Sequence, residues 1–226
     1  MQKGNNFKLV AERIGIPNLD TDLLLVALTH SSYANLKKIE SYERLEFLGD
    51  SVLSLIITDY LYSNFNRSEG DLTKLRASIV CEESLSSIAK SLGLADEILA
   101  LDSTRKASDT TSILCDVFES VLGAIYHQLG YAVAKKWVLD KLDENIKLAL
   151  AGNLYKDYKT QLQELTQAVG KVTTYKIIDE KGKTHDKIFI AQAYIADDAM
   201  AKGEGTSKKQ AEQDAARNTL KIIDDL

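Results

Sequence analysis

The sequence predicts an all-α unit over residues 1–150 followed by a small α+β unit over residues 154–226. Three observations carry that division. Up to Ala149 the apolar residues recur at helical spacing, and the only proline of the chain, Pro17, leaves the later helices unbroken. Ala151-Gly152-Asn153 then interrupts the pattern. Beyond it a short helix leads into segments that alternate with a period of two, and a last helix closes the chain. A length of 226 residues accommodates one medium and one small domain.

Each element has a local reason. Asp20-Thr21 caps a helix that starts near Asp22 and runs through LLLVALTH. A long helix extends from Ser41 to about Asn64. Ser68-Glu69-Gly70-Asp71 reads as a turn, after which LTKLRASIV and ESLSSIAKSLGL show helical periodicity. The polar stretch Asp102–Thr111 reads as an exposed loop before a helix over Ser112–Tyr126, and Tyr131–Ala149 forms another amphipathic helix. In the second unit Asp157–Ala168 is helical, and TTYKIIDE and KIFIAQAYIA pair as a hairpin. Gly203-Glu204-Gly205 reads as the turn before the final helix, which Ser207 and Gln210 open with a capping box. Gly203 and Gly205 lack the strand-loop-helix context of a nucleotide-binding fingerprint. Ala211, Ala215 and Leu220 share the helix face that packs on the sheet.

Charge placement points to chemistry. In ERLEFLGDS, Glu43, Glu46 and Asp50 stand at i, i+3 and i+7 and share one helical face. Leu45, Phe47, Leu48, Val52 and Leu53 fill the other directions as core. Like charges at i,i+4, such as Glu46 and Asp50, cost a helix roughly 0.2–0.5 kcal/mol, and no Lys follows at the offset that would compensate. A second stretch, SILCDVFESVLGAIY, has only two charges, Asp116 and Glu119, again on one face. By itself that pair reads equally well as an exposed stripe on a buried helix. Beside the first cluster it reads as part of a cation site, and carboxylate oxygens favour a hard ion such as Mg²⁺.

The net charge of −5 argues against a polyanion partner only superficially. Residues 151–226 carry 12 basic and 12 acidic side chains, which leaves 16 and 21 for residues 1–150, where bound cations offset the excess. Hydrophobic content of 45% and charged content of 27% are those of a globular protein. No apolar run reaches membrane-span length and MQKGNNFKLV has no signal-peptide core, so a cytoplasmic protein with no membrane partner is expected. Cys81 and Cys115 have neither CxxC nor zinc spacing and are expected to be buried free thiols in apolar helices.

These segments resemble the bacterial-type ribonuclease III family across essentially the whole chain. ERLEFLGDS matches the family's signature helix, and ALTHSSYAN, EGDLTKLRASIV and SILCDVFESVLGAIY follow its order and spacing. KDYKTQLQEL, HDKIF and GEGTSKKQAEQDAA resemble a double-stranded-RNA-binding domain of α-β-β-β-α form. The resemblance implies an RNase III-like all-α endonuclease domain that hydrolyses double-stranded RNA to 5′-phosphate and 3′-hydroxyl ends. Glu46, Asp50, Asp116 and Glu119 fall on the metal-ligand positions, with Asp50 and Glu119 also catalytic. Glu43 and Glu69 fall on acidic positions that line the cleavage groove near the subunit interface. Mg²⁺ is the implied cofactor, with Mn²⁺ as a substitute, and two ions about 3.5–4 Å apart fit phosphodiester hydrolysis. No His base is needed, and His30 reads as a structural residue near a helix end. Glu69 reads alternatively as a favourable acid at a helix N-terminus.

The same resemblance implies a homodimer in which Phe47 enters a pocket of the partner subunit. Cutting both strands then requires two sites related by symmetry. In the second unit Thr160, Gln163 and Glu164 match minor-groove positions, and His185 lies in the loop that reaches the next minor groove. Lys208 and Lys209, in the first turn of the last helix, meet phosphates where free amides and the dipole already favour anions. The implied substrates are ribosomal RNA precursors and structured messenger or transfer RNA precursors. Three departures from the family pattern stand out: GKTHD in place of a GPxH loop, FNRSEG one residue short, and no Gly-Gly within Asp102–Thr111. The competing function is a catalytically silent RNA-binding or ribosome-associated protein, which would be expected to have lost some of the acids. A helical metalloprotein acting on small phosphate esters is disfavoured by the RNA-binding pattern.

Overall fold

A computed structural model describes residues 2–101, 111–152, 158–182 and 187–224. The chain divides into two compact units, Met1–Tyr155 and Lys156–Leu226.

The first unit is helical. Its elements are α1 (Gln2–Arg13), α2 (Thr21–Ala27), α3 (Ser31–Lys37), α4 (Glu43–Asn64), α5 (Glu69–Ile79), α6 (Glu82–Ser91), a 3₁₀ turn (Ala95–Glu97) and α7 (Thr111–Leu150). The Asp20 side chain caps α2 by accepting from the amides of Asp22 and Leu23. His30 caps α3, its Nδ1 accepting from Ser32 N at 3.0 Å. Ser68 caps α5 through Asp71 N, so Glu69 opens a helix where the sequence predicted a turn. A Ser followed three residues later by Asp supplies that start, and the Gly between them does not prevent it. Within α7, Gly130 adopts φ 78°, which separates two helical segments much as the sequence predicts.

The core of this unit forms where α4 and α7 cross. Val52, Leu53, Ile56 and Ile57 of α4 are buried with Leu114, Val117, Phe118, Val121 and Leu122 of α7. Phe118 stacks on Trp137 at 5.1 Å, and the indole donates to Ile14 O, tying α1 to α7. Ser120, wholly buried, donates to Ala27 O at 2.6 Å and so fixes α2 against α7. Phe47 is not core: it is 76% exposed, while Leu45 and Leu48 are half-buried. Cys115 is buried, but Cys81 is half-buried at the cap of α6 rather than inside a helix.

The second unit has α8 (Tyr158–Gln167), β1 (Thr173–Lys181), β2 (Ile188–Ile195), β3 (Asp198–Gly205) and α9 (Lys208–Asp224). The strands form one antiparallel sheet in the order β1-β2-β3. Ala191 and Ala193 of β2 pack on Ala211 and Ala215 of α9, and Leu220 joins Leu162 and Ile195. Gly203 and Gly205 belong to β3, where the sequence predicted a turn. The reason is steric: a Cβ on Gly203 would lie 2.0 Å from Ala215 N, and one on Gly205 2.5 Å from Ala211 N. Here glycine marks a strand passing close under a helix rather than a bend. The capping box forms in altered shape. Ser207 Oγ accepts from Gln210 N at 3.2 Å, but Gln210 reaches past it to Thr206 N.

Candidate functional site

The acidic site is built on the α4–α7 crossing. A Cβ on Gly49 would stand 1.8 Å from Glu119 O, and one on Gly123 would stand 2.1 Å from Leu45 O. Only hydrogen fits at either position, so the two backbones meet and the flanking carboxylates converge. Glu46 of α4 and Asp116 and Glu119 of α7 each bring one oxygen within 4.8 Å of the others. Three of the four expected metal ligands are therefore together. Asp50 is exposed at the edge of this group, and its charge acts on both Glu119 and Glu46.

The electrostatics are those of crowded acids. Burial, then the charges of Asp50, Asp116 and Glu46, push the Glu119 carboxyl up to about 8. Burial and then Asp116, Glu43 and Asp50 raise Glu46. Asp116 is raised by burial and by Glu82, against the lowering influence of Tyr42 and His30. Among the described residues no Lys or Arg forms an ion pair with any of the four carboxylates. Oxygen-only donors, close spacing and uncompensated charge fit a hard divalent cation.

The other expected residues lie elsewhere. Glu43 is exposed and accepts from Ser41 Oγ at 2.9 Å. Glu69 opens α5, accepts from Thr73 Oγ1 at 3.0 Å, and lines a cleft with Thr58, Tyr62, Arg67 and Arg76. Thr58 is twelve residues beyond Glu46 on α4, about 18 Å along the helix, so Glu69 is outside the cluster of its own chain. Phe47, Leu55 and Tyr62 are 76%, 56% and 78% exposed and fall on one stripe of α4. In the second unit Thr160, Gln163 and Glu164 are exposed on α8, and Lys208 and Lys209 are exposed in the first turn of α9. His185, with most of the GKTHD loop, and nearly all of the Asp102–Thr111 loop lie outside the described residues.

Sequence reasoning missed the residues that assemble the site. Gly49 and Gly123 could have been found, since glycine inside a helix costs roughly 0.5–1 kcal/mol relative to Ala and each acidic helix keeps one. Tyr42, whose phenol donates to Asp116 Oδ2 at 3.2 Å, gave only the weak signal of an aromatic before an acidic run. Cys115 donates to Glu119 Oε1 at 3.8 Å, and burial followed by the Glu119 charge raises its thiol. Glu82, which acts on Asp116, gave no signal beyond that of an ordinary acid in a first helical turn.

Known proteins match this architecture. The Ribonuclease-III-like family model covers residues 20–146, and the double-stranded RNA binding motif covers residues 158–223. Ribonuclease 3 of Syntrophomonas wolfei subsp. wolfei is 42% identical over 213 residues, 91% of this chain and 90% of that protein. Ribonuclease 3 of Caldanaerobacter subterraneus subsp. tengcongensis is 45% identical over 217 residues, 92% of this chain and 94% of that protein. The solved nuclease domain of ribonuclease III from Campylobacter jejuni, described as flexible in a region involved in dimer formation, is 40% identical. It superimposes with a TM-score of 0.58, covering 62% of this chain and 98% of its own. Two family models in tandem and relatives of this similarity along nearly the full length lead to one conclusion: the chain belongs to the ribonuclease III family.

Proposed function

We propose that this protein is an endoribonuclease that hydrolyses phosphodiester bonds of double-stranded RNA, leaving 5′-phosphate and 3′-hydroxyl ends. The observation that carries the reading is the convergence of Glu46, Asp116 and Glu119, with Asp50 at their edge, in a chain that also carries a double-stranded RNA binding motif. Glu46, Asp50, Asp116 and Glu119 would hold Mg²⁺, with Mn²⁺ as a substitute. When bound, such an ion neutralises phosphoryl charge and acidifies water. The chain's own part is to fix the donors: the glycine crossing sets their spacing, and the surrounding core limits how far they can separate. Asp50, the most exposed of the four, would be the ligand nearest solvent, and Glu119, raised to about 8, would have to give up its proton to hold a cation.

The exposed stripe of Phe47, Leu55 and Tyr62 supports a homodimer, in which Phe47 enters a pocket of a second copy and Glu43 and Glu69 line the groove near the subunit interface. Thr160, Gln163, Glu164 and His185 would read the minor groove, and Lys208 and Lys209 the phosphates. Ribosomal RNA precursors and structured messenger or transfer RNA precursors are the corresponding substrates. Two free cysteines accord with a reducing cytoplasm, and among the described residues no helix is long and apolar enough to cross a membrane.

Labelled duplex RNA incubated with Mg²⁺ or with EDTA tests the reading. Cleavage in the first tube alone is expected, and Glu119→Gln should bind the duplex without cutting it. Intact RNA in both tubes would instead identify a silent RNA-binding protein.

A further inference from the structure

Tyr42 connects the two acidic helices. The residue is buried, 4% exposed, immediately before α4. Its amide donates to Thr29 O at 2.9 Å, and its carbonyl accepts from Glu46 N at 2.9 Å. The phenol donates to Asp116 Oδ2 at 3.2 Å, and the ring of His30 meets it edge-on at 5.7 Å. The tyrosine is thus held on its backbone and on its ring, and its one polar atom points at one oxygen of the carboxylate group. A carboxylate that ligates a metal is ordinarily oriented by such an outer hydrogen bond.

We propose that Tyr42 is a positioning residue for the cation site. Its phenol holds Asp116 Oδ2 while its carbonyl anchors the helical turn that carries Glu46, so that one residue would fix how the Asp116 carboxylate and the Glu46 turn face each other. The inference rests on the proposed cation site and adds to it a residue outside the acidic set. Without the phenol, Asp116 rotates about its own side-chain bonds and must be ordered by the ion itself.

The test uses the full chain and Tyr42→Phe, which keeps the ring and removes the hydroxyl. Mn²⁺ binding is measured by calorimetry without RNA, alongside Mg²⁺ titrations of duplex cleavage and thermal melts in EDTA. The expected result is a Mn²⁺ dissociation constant raised about 10–100-fold, with a parallel rise in the Mg²⁺ needed for half-maximal cleavage. The rate at saturating Mg²⁺ should fall far less than the affinity, and the melting temperature in EDTA should drop by no more than the few degrees that one hydrogen bond to a carboxylate contributes. Unchanged Mn²⁺ affinity in Tyr42→Phe overturns the proposal. Asp116→Asn, alone and combined with Tyr42→Phe, guards against a folding defect: a phenol acting through Asp116 adds no further loss, whereas additive losses also overturn it. A parent chain that binds Mn²⁺ yet leaves duplex RNA intact removes the nuclease reading and leaves the Tyr42 inference standing. A parent chain that binds no Mn²⁺ removes both.

Discussion

In the helical unit, α4 and α7 cross at Gly49 and Gly123; in the α+β unit, β3 passes under α9 at Gly203 and Gly205. Both contacts place backbone against backbone, and both exclude any side chain. They differ in what they hold. The helical crossing lies directly beneath Glu46, Asp116 and Glu119, which are half-buried; burial raises all three, and the Asp116 charge adds to the rise of the other two. The strand–helix contact orients a helix whose Lys208 and Lys209 remain at the surface. A site made from partly buried like charges depends on every member, and on an ion if one is to neutralise them. A site made from exposed cations is a sum of separate phosphate contacts, each screened by salt. The first should fail as a unit, the second by degrees.

The largest effect is expected from Gly49→Ala or Gly123→Ala. Overpacking ordinarily costs about 1–3 kcal/mol, and a Cβ aimed at backbone atoms cannot be relieved by turning a side chain. Cleavage should be lost, Mn²⁺ binding should weaken, and the helical unit should melt several degrees lower. A variant that melts and cuts like the parent would break the link between crossing and site.

Glu119→Gln follows, and its two readouts should move in opposite directions. Cleavage should fall at least about 100-fold, since a ligand should matter no less than an outer-shell partner. Stability without metal should rise. A carboxyl raised to about 8 in the folded protein, against 4.5 ordinarily, stabilises the fold fully below the unfolded value and loses that contribution as pH climbs through 8. In EDTA the parent should therefore lose stability from this group between about pH 4.5 and 8, where the amide has no charge to bury. The amide variant should melt higher at pH 8, by about 2–4 °C for each kcal/mol of repulsion removed, and the gap should close toward pH 5. Equal melting temperatures at pH 8 would argue against a strained acidic cluster.

The two units also differ in how legible they were. The helices of the first unit follow from apolar periodicity and from caps such as Asp20, and the acids of both segments stand out because nothing in their sequence neighbourhood offsets them. The distance between those segments is set by the α4–α7 crossing, which no local pattern encodes. Tyr42 and Glu82 reach Asp116 only through tertiary contacts, which is why little in the sequence pointed to either. Phe47 shows the limit of periodicity, which cannot distinguish a core residue from an exposed apolar one on an outer stripe. In the second unit the family resemblance implied a third strand, but local pattern did not place β3, because its glycines and acids, DAMAKGEG, look like a turn. The close approach of α9 is what demands them, and that helix comes later in the chain.

Gly203→Ala isolates the second crossing. The added Cβ meets Ala215 N at 2.0 Å, so β3 and α9 must separate and duplex binding should weaken by at least about tenfold, by analogy with other overpacked contacts. The melt of the helical unit and its Mn²⁺ affinity should not change, because the acidic site has its own core. Loss of Mn²⁺ binding in this variant would show that the two sites are not built independently.

The smallest effects belong to Lys208→Ala and Lys209→Ala. Each removes one cation from the first turn of α9 but leaves the helix amides, the dipole and the Ser207 cap in place. Duplex affinity at moderate salt should drop a few-fold for either variant, and the slope of log affinity against log salt should become shallower by about 0.7–1 per lysine. The double variant should show the sum of the two slope changes if, as proposed, the two lysines meet separate phosphates. Cleavage at saturating RNA should match the parent, because the carboxylate cluster is built from α4 and α7 alone. An all-or-none loss from one lysine would mean that the RNA contact is cooperative like the carboxylate cluster, and the contrast between the two sites would fail.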